Sequence, residues 1–396
     1  MASDWTTVRA ADFIEFNPRL SLKKGVFATK VAMEKLQPFT KKIPATEQAE
    51  FAGGSKFCNG DTIMARITPC LENGKTAFVD ILADGEVAFG STEFIVMRAR
   101  PGVSDPQFVY YLATSPAFRN IAIKSMVGSS GRQRVQQGVL DELELTVPPL
   151  GEQQKIGAFL AMLDQKIALN NKINDNLEQQ LRSLFTELFA EKIANVEANN
   201  HLPLGELVIS IDNRGKTPPL ETVPTEYPII DVRALSGDSR IVNYKNCTKY
   251  VSHETYSSWF RSGHPKSQDI LISTVGSLAE IKIFVGSKGC IAQNVVGFRT
   301  KGISPYYLYQ YLSTIKNDLV AYNIGSVQPS IKVTHIIKHP IYVPAKEELD
   351  TFDALAINAT NMIYNNALES EYLANLRDSL LPKLMSGEID LSDIQL

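Results

Sequence analysis

The hydrophobic positions of residues 152–189 have the spacing of one long helix. Leucine and isoleucine recur there at alternating three- and four-residue steps, at Leu160, Leu163, Ile167, Leu177, Leu181, Leu184 and Leu188. No Pro or Gly follows Gly157 within the stretch. About 38 residues that rise roughly 1.5 Å each predict a rod of about 57 Å. Such a rod is too long for the interior of an ordinary domain, so the pattern predicts a partner helix.

The chain supplies a partner helix because its layout repeats 195 residues later. Laying Glu347–Lys383 over Glu152–Leu188 places Leu355 on Leu160, and Asn365-Asn366 on Asn170-Asn171, without a gap. The blocks before the two helices also correspond, at Val147-Pro148 and Val343-Pro344, Gly128-Ser129 and Gly325-Ser326, Arg98 and Arg299, and Asp61 and Asp269. Ordered matches through both blocks indicate two copies of a globular domain followed by a long helix. We therefore predict globular domains at 1–148 and 196–345, and helices within 149–195 and 346–396.

Polar residues interrupt the hydrophobic seam of each predicted helix. Asn170 and Asn174 occupy seam positions in the first helix, and Asn365 is the matching residue in the second. A polar side chain in a helix seam lowers stability but can fix the register of the pair. We predict that these three asparagines set the register.

Each globular block alternates short strand-like runs with turn residues and then a helix. The first has Thr62–Ala65, Ala77–Val79 and Phe94–Met97, and its helix runs from Asp105-Pro106 to about Lys124. The second has Asp269–Ile272, Ile281–Val285 and Val295–Phe298, and its helix opens at Ser304-Pro305. The predicted fold class is α/β (α+β), with two similar domains separated by two long antiparallel helices and related by internal pseudo-twofold symmetry.

Four tyrosines in the second of these helices admit two interpretations. Tyr306, Tyr307, Tyr309 and Tyr311 could stack on nucleic-acid bases. Aromatic residues at helical spacing are more often core residues, and Phe108, Tyr110 and Tyr111 occupy the matching helix. We favour the core interpretation.

Composition allows polyanion binding without requiring it. The net charge is −3, but the acidic residues are concentrated after residue 345, and the second globular block is mildly basic. The beginning of the sequence has no basic and then apolar run, and no window approaches the length of a membrane span. Cys58, Cys70, Cys247 and Cys290 lack the spacing of a zinc site and resemble the reduced cysteines of a cytoplasmic protein.

Candidate catalytic motifs fail on inspection. The triplets Gly74-Lys75-Thr76 and Gly215-Lys216-Thr217 lack the first glycine of a phosphate-binding loop, since Pro69 and Ser210 stand there. His335 and His339 have a helical ligand spacing, but no glutamate follows the first histidine. The chain also has no Asn/Asp-Pro-Pro-Tyr/Phe motif for amino methylation. We predict that it has no catalytic site and no metal site.

Polar loops remain as candidate DNA contacts. Gly128–Arg134 and Gly325–Lys332 occupy the same point of both copies and combine glycine with residues that can bond bases and phosphates. Lys75, Arg214 and Lys216 are loop cations suited to phosphate oxygens, although a solvated turn is an equal alternative. The full predicted set is Lys75, Ser129, Arg132, Gln133, Arg134, Arg214, Lys216, Thr217, Ser273, Thr274, Ser326, Gln328 and Lys332.

The whole arrangement resembles the specificity (S) subunit of a type I restriction-modification system. The resemblance covers the full chain and rests on the order and spacing of short motifs: the domain openings Trp5–Val8 and Leu202–Leu207, the stretch Arg214–Pro218, the helix openings Val147–Gln154 and Val343–Glu348, and the ending Leu376–Ile389. One departure is Ala345-Lys346, which replaces the Pro-Leu-Gly of the first helix opening.

The resemblance implies a function for each part of the chain. Each target-recognition domain would read one half of a bipartite, asymmetric site in double-stranded DNA, and the helices would fix the spacer between the halves. Two modification subunits using AdoMet would methylate adenine, and restriction (motor-nuclease) subunits would use ATP and Mg²⁺. The chain itself would hold no cofactor and act in host defence in the cytoplasm, away from membranes. The alternatives are a stand-alone DNA-binding scaffold or regulator, and an interaction protein whose rod only dimerises.

Overall fold

A computed structural model describes residues 4–129, 131–195, 200–215 and 217–391. The chain divides into two compact units. Unit 1 comprises Met1–Ala168 and Ser370–Leu396, and unit 2 comprises Leu169–Glu369. Each unit therefore joins one globular block to a part of both long helices.

Unit 1 contains two four-stranded sheets and a two-stranded ribbon. In spatial order, the first sheet is Ile14–Phe16, Phe94–Ala99, Thr62–Ala65 and Thr76–Phe78, and all its pairings are antiparallel. The second sheet is Glu47–Glu50, Phe27–Val31, Ala88–Gly90 and Ser55–Phe57, and the ribbon pairs Thr6–Arg9 with Glu144–Val147. The helices of the block are Ala10–Phe13, Pro106–Thr114, Pro116–Lys124 and Gln137–Asp141, with a 3₁₀ turn at Met33–Lys35.

Unit 2 repeats this plan with a smaller second sheet. Its first sheet is Val208–Ile211, Val295–Thr300, Ile270–Ser273 and Ile281–Ile283, again antiparallel. Its second sheet is Tyr250–Val251, Tyr227–Ile230 and Cys290–Ile291, and its ribbon pairs His201–Pro203 with Pro340–Tyr342. The helices are Leu204–Leu207, His253–Ser258, Pro305–Thr314, Lys316–Ala321 and Val333–Ile336, with 3₁₀ turns at Val232–Leu235 and Tyr244–Asn246. The predicted mixed α/β class and the repeat of similar domains are confirmed.

An ion pair between a buried aspartate and a half-buried arginine occurs at the same place in both units. Arg98 donates to both carboxylate oxygens of Asp61, each at 2.7 Å, and Arg299 does the same to Asp269 at 3.0 and 2.7 Å. Each aspartate also accepts a backbone N–H from the turn that enters its strand. The matching residues recognised in the sequence are thus a structural brace of each first sheet.

The predicted helix from Pro106 to Lys124 is in fact two helices. Ser115 ends the first with an extended backbone, and its hydroxyl caps the second by accepting from the Phe118 N–H. Pro116 lies at the first position of the second helix, where its missing N–H costs nothing. The prediction overlooked this Ser-Pro start signal. In the matching helix of unit 2 all four candidate tyrosines are buried, which confirms the core interpretation.

The long helices run from Leu150 to Ala194 and from Lys346 to Met385; they are called long helix 1 and long helix 2. In unit 2 they are antiparallel, because Lys192 pairs with Glu348 at one end while the Asn366 amide donates to Asn174 at 2.8 Å farther along. In unit 1 they are also antiparallel, because Arg377 bonds Asp164 at 2.5 Å while Trp5 contacts both Glu152, near the start of long helix 1, and Gly387, just past the end of long helix 2.

The burial pattern corrects the register of the repeat by one residue. An offset of 195 pairs Leu160 with Leu355, but Leu355 is exposed and its neighbour Ala356 is buried. An offset of 196 pairs Leu160 with Ala356, and Asn170 with Asn366. One residue in a helix is a rotation of about 100°, so the slip moves every matched side chain to another face.

The asparagine prediction changes accordingly. Asn170 is buried and donates to Glu369 at 2.8 Å, and Asn174 bonds Asn366 as predicted for a seam residue. Asn365, by contrast, is exposed. The register residue of long helix 2 is therefore Asn366, and the prediction of Asn365 was wrong because it inherited the one-residue slip.

In each unit a carboxylate lies where a globular helix packs against a long helix. In unit 1 this carboxylate belongs to the globular block, and in unit 2 it belongs to the long helix. In unit 1 the cap of the globular helix is Asp105, and Gly157 of long helix 1 lies against it; a Cβ on Gly157 would stand 2.8 Å from the Asp105 Oδ1. In unit 2 the cap is Ser304, and its hydroxyl donates to Asp353 of long helix 2 at 2.5 Å. Asp353 is the residue that matches Gly157 at the offset of 196.

A buried arginine links the globular block of unit 2 to both long helices. The Arg240 guanidinium donates to the Glu178 carboxylate of long helix 1 at 3.1 and 3.0 Å, and to the Thr360 hydroxyl of long helix 2 at 3.0 Å. It also reaches Gln310 and lies over the Tyr309 ring. Arg240 is fully buried, so these bonds replace its hydration.

Unit 1 has a counterpart built from different residues. Lys41 matches Arg240, since its carbonyl accepts from Phe78 as that of Arg240 accepts from Ile283. The Lys41 ammonium donates to Gln107 and Tyr111, and the Tyr111 hydroxyl donates to Asp164, the partner of Arg377. Burial lowers the pKa of Lys41 to about 8.

We expect Glu178→Ala to destabilise the protein by about 3–5 kcal/mol, because it leaves the Arg240 guanidinium buried without its carboxylate. Urea unfolding monitored by circular dichroism measures this. The matched control is Glu187→Ala, an exposed glutamate on the same helix, for which a change within about 0.5 kcal/mol is expected. Equal losses in the two variants would contradict a specific role for the Arg240 network.

Candidate nucleic-acid interface

Backbone hydrogen bonds close the two candidate loops at matching places, two of them in unit 1 and one among the described residues of unit 2. We call Gly128–Arg134 loop 1 and Gly325–Lys332 loop 2. Val127 and Arg134 exchange both backbone bonds in unit 1, at 3.0 and 2.9 Å, and Ile324 donates to Ser330 at 2.9 Å in unit 2. Each loop is then tied to the end of a strand of the first sheet, by Val135 N–H to Arg66 O and by Ile331 N–H to Thr274 O. The loops are thus equivalent in structure as well as in sequence.

Loop 1 rests on a cluster of charges. The Arg134 guanidinium donates to both oxygens of Glu93, through Nε at 2.9 and 3.0 Å and through Nη2 at 2.6 Å. Arg66 lies 4.0 Å from the same carboxylate. The hydrogen bonds from Arg134 lower the pKa of Glu93. Arg134 therefore holds the base of the loop, and its charge is already compensated within the protein.

The other polar side chains of loop 1 face solvent. Ser129 and Arg132 are exposed and Gln133 is half-buried. Among the described residues the Arg132 guanidinium has no hydrogen-bond or ion-pair partner. Gly128 and Gly131 have φ of +139° and +79°, conformations that favour glycine and let the chain reverse. Ser130 lies outside the described residues. Arg132 is thus the loop 1 cation that is available to a ligand.

Loop 2 is held by neutral groups instead. The Asn323 Oδ1 accepts from the N–H groups of Gly325 and Ser330, at 3.0 and 2.9 Å, and the Gly276 N–H donates to the Pro329 carbonyl. Gly325 passes so close to the Gln328 carbonyl that a Cβ would stand 1.8 Å from its oxygen, so only glycine fits. Ser326, Gln328 and Lys332 are exposed, as expected of ligand contacts.

Ser273 and Thr274 must be removed from the predicted contact set. Both are fully buried. The Ser273 hydroxyl donates to the Ser277 carbonyl at 2.6 Å and accepts the Glu280 N–H at 2.8 Å, and the Thr274 hydroxyl donates to the Asn294 carbonyl at 3.3 Å. These residues shape the turn beneath loop 2. Their polarity satisfies buried backbone groups, which a sequence cannot distinguish from surface chemistry.

Lys75 is engaged within the protein. Its ammonium donates to the Met33 carbonyl at 3.0 Å, and the side chain is half-buried. Its backbone carbonyl accepts from Ala65 beside the first sheet. The Met33 carbonyl takes one of the three N–H donors of the ammonium, so a phosphate contact of Lys75 stays a prediction.

The loop at Arg214–Thr217 lies beside the base of loop 2. Arg214 is paired with Asp212 at 2.6 Å, whereas Thr217 is exposed and accepts from the Gln293 amide at 2.8 Å. Lys216 lies outside the described residues. The Gln293 amide also donates to the Gly215 carbonyl, and Asn294, next to Gln293, accepts from Thr274. Through these bonds Thr217 and loop 2 share one edge of the unit 2 sheet.

A cleft opens at this edge of unit 2. It has a volume of about 230 Å³. Thr217, Gly276, Gln293 and Asn294 line it, Lys249 adds a positive charge, and Arg233 lines it as the partner of Asp231 at 3.3 Å. The edge therefore combines amides, hydroxyls and cations, the groups that bond base edges and phosphates, with one carboxylate.

Sequence reasoning missed the residues that hold the loops in place. Glu93 stands directly before the strand Phe94–Ala99, and Asn323 stands two residues before loop 2. Neither residue belongs to a recurring motif, and the side chain of each acts only through the loop that folds against it. The sequence alone therefore carried no signal for either residue.

The described residues contain no group of three or more His, Cys, Asp or Glu side chains placed to hold a metal ion. His335 lies in a short helix, Val333–Ile336, and His339 shares a hydrogen bond with the Tyr322 hydroxyl at 2.9 Å. No helix among the described residues is long and apolar enough to cross a membrane. All four cysteines are free thiols.

Comparison with known proteins agrees with this geometry. The family model described as "Type I restriction modification DNA specificity domain" matches residues 2–179 and 201–366. The type I restriction enzyme HindI specificity subunit of Haemophilus influenzae is 25% identical over 407 aligned positions, covering 83% of this chain and 86% of the relative. The MjaIX specificity subunit of Methanocaldococcus jannaschii is 23% identical, covering 73% and 70%.

A solved structure has the same fold. The S subunit of a type I restriction-modification system from M. genitalium matches 96% of this chain and 96% of its own, with a TM-score of 0.57 and 16% sequence identity. The family match and this structure confirm the resemblance that the sequence motifs indicated.

We expect Arg132→Ala to weaken binding to a cognate DNA by about 1–3 kcal/mol, the value of one bidentate base contact, without changing the melting temperature. Fluorescence anisotropy on cognate and random duplexes measures the binding. Arg134→Ala is the matched variant, and it should lower the melting temperature because Glu93 loses its hydrogen bonds from the guanidinium and keeps only Arg66, 4.0 Å away. If Arg132→Ala weakened binding to random DNA equally, Arg132 would be a phosphate contact and not a base contact.

Proposed function

Since this chain belongs to the family of type I restriction-modification DNA specificity proteins, we propose that it is the specificity subunit of such a complex and that each globular domain reads one half of a bipartite DNA target. The observation that carries the proposal is the pair of equivalent loops. Both are tied to the end of a strand of the first sheet by a matching backbone bond and project polar side chains, but the side chains differ between the copies. Two different readers on a repeated scaffold suit an asymmetric target with two unlike half-sites.

The long helices would set the spacer between the half-sites. Asn174 and Asn366 bond each other across the helix pair, and Asn170 bonds Glu369. A polar pair in an otherwise hydrophobic seam favours one register over others, at some loss of stability. The Arg240 and Lys41 networks attach each globular block to its helices through several directed bonds. These contacts fix each globular block to its own part of the long helices.

Catalysis would belong to partner subunits. The sequence lacks the motif of an amino methyltransferase, so we propose that two modification subunits bind AdoMet and methylate adenine. An adenine must leave the base stack to be methylated, and the methylating subunit must hold the flipped base in a pocket. Contacts to base edges in the groove would not be enough. Restriction subunits would supply the ATP- and Mg²⁺-dependent cleavage. The contribution of this chain is the choice of the DNA sequence, in a cytoplasmic complex.

Reconstitution with the modification subunit of its own system tests the proposal. DNA exposed to both proteins and AdoMet is sequenced for N6-methyladenine by a single-molecule method. The expected result is methylation at one bipartite, asymmetric sequence with a fixed spacer, and no methylation or cutting by either protein alone. Sequence-specific DNA binding that the modification subunit neither joins nor uses would instead favour a stand-alone DNA-binding scaffold. Catalysis by the purified chain alone would refute the division of labour.

We expect a paired insertion in the long helices to lengthen the accepted spacer. Four residues after Asn171 and four after Ala367 add about 6 Å to each helix, close to one turn, and so keep the seam on nearly the same face. At about 34 Å per turn of DNA, the spacer should grow by about two base pairs. The methylation assay on a library of spacer lengths measures this.

The matched control inserts four residues at the exposed turn of Asp84 and Gly85, which leaves the helices unchanged. This variant should accept the original spacer. An unchanged spacer in the helix variant, with methylation activity retained, would show that the helices do not determine the separation.

A further inference from the structure

The tip of loop 2 carries an apolar side chain that the protein itself does not use. Val327 is 97% exposed, and every other exposed large hydrophobic residue among those described is at most 70% exposed. A single exposed apolar residue is ordinary on a protein surface. Val327 differs because it stands between two predicted contacts, Ser326 and Gln328, on a loop whose backbone is fixed.

The loop holds Val327 in a defined place. The side-chain oxygen of Asn323 accepts from the N–H groups of Gly325 and Ser330, and the bond from Gly276 to the Pro329 carbonyl ties the loop to the turn after the strand Ile270–Ser273. Valine is branched at Cβ and has few side-chain rotamers. A ligand that meets Val327 therefore meets a preorganised surface, and binding costs little additional ordering.

DNA presents one apolar group on its base edges in the major groove, the C5-methyl group of thymine. Side-chain methyl groups contact it favourably, while a hydroxyl or charge in that place would lose hydration without a partner. Gln328 can bond the N6 and N7 atoms of an adjacent adenine, and Lys332 is exposed for a phosphate. The three residues together match a short A·T-containing sequence.

Loop 1 offers different chemistry at the matching place. Aligning Gly128 with Gly325 puts Ser130 opposite Val327; Ser130 lies outside the described residues, but its side chain is polar. The group available in loop 1 is the Arg132 guanidinium, which bonds the O6 and N7 atoms of guanine. The charged brace of Arg66, Glu93 and Arg134 under loop 1 corresponds to the neutral Thr274, Asn294 and Ser330 under loop 2.

We propose that Val327 is a specificity-determining residue that contacts the C5-methyl group of a thymine in the half-site read by unit 2. The proposal rests on the proposed function, because it assumes that loop 2 enters the major groove of a target sequence. It assigns a thymine to that half-site and names the side chain that distinguishes thymine from cytosine or uracil there.

Removing the methyl group from the DNA and the side chain from the protein tests the contact. Once the target is known, each thymine is replaced in turn by deoxyuridine, which lacks only the C5-methyl group. Binding of the complex with modification subunits is measured by anisotropy. The half-site of unit 2 is identified as the one whose base preferences Arg132→Ala leaves unchanged.

One deoxyuridine in the unit 2 half-site should weaken binding of the wild-type complex about fourfold, the effect of one buried methyl-sized group. In Val327→Ala the same replacement should have little further effect, because the contact is already lost. Replacements in the other half-site should affect both proteins equally. Val223→Ala is the matched control, an exposed valine of the same unit, and should behave as the wild type.

Two results would overturn the inference while leaving the proposed function intact. One is that no deoxyuridine in the unit 2 half-site weakens binding. The other is that the deoxyuridine penalty is undiminished in both Val327→Ala and Val327→Ser. A complex that binds no DNA sequence preferentially would instead refute the proposed function itself.

Discussion

The structure depends on buried charges that must find their partners in one arrangement. In unit 2 the Arg240 guanidinium reaches Glu178, Thr360 and Gln310, which lie on three different helices. Hydrophobic packing between a globular block and a helix pair tolerates small slides, since apolar contacts have no direction. A buried guanidinium does not tolerate them, because its N–H groups lie in a plane and each lost bond leaves an uncompensated charge. A protein that must hold a reader at a defined place on a rod gains precision from such a contact.

Unit 1 reaches the same end with a different set of groups. Burial lowers the pKa of Lys41 to about 8, so its charged form is less favoured than in water. Its ammonium donates to Gln107 and Tyr111, whereas Arg240 in unit 2 bonds a carboxylate directly. The negative charge, Asp164, lies beyond the Tyr111 hydroxyl and is neutralised by Arg377. The position of the network is therefore shared between the units although its residues are not. A match by residue identity would not have found it.

The sequence predicted the parts of the fold that follow from period and repetition. The long helices and the buried tyrosines follow from hydrophobic spacing, and the paired braces at Asp61 and Asp269 were visible as matched residues. Prediction from the sequence failed for side chains whose role depends on the rotation of a helix or on their burial. Leu355 and Asn365 aligned by identity but face away from the seam, because one residue of slip in a helix is a large rotation. Ser273 and Thr274 look like surface hydroxyls, yet they satisfy backbone groups under loop 2. Glu93 gave no signal at all, since its role exists only through Arg134.

The carboxylate where a globular helix packs against a long helix limits which segments of the two copies can be exchanged by recombination. In unit 1 the carboxylate is Asp105 of the globular block, and Gly157 of the long helix leaves room for it. In unit 2 the carboxylate is Asp353 of the long helix, and it accepts a hydrogen bond from Ser304 of the globular block. A gene rearrangement that joined the first block to the helix segment of the second would bring two carboxylates face to face, and the reverse exchange would leave neither. Each block is thus matched to its own helix segment. Recombination that creates new DNA specificities from this chain should succeed where the crossover carries the first turns of the helix along with the block.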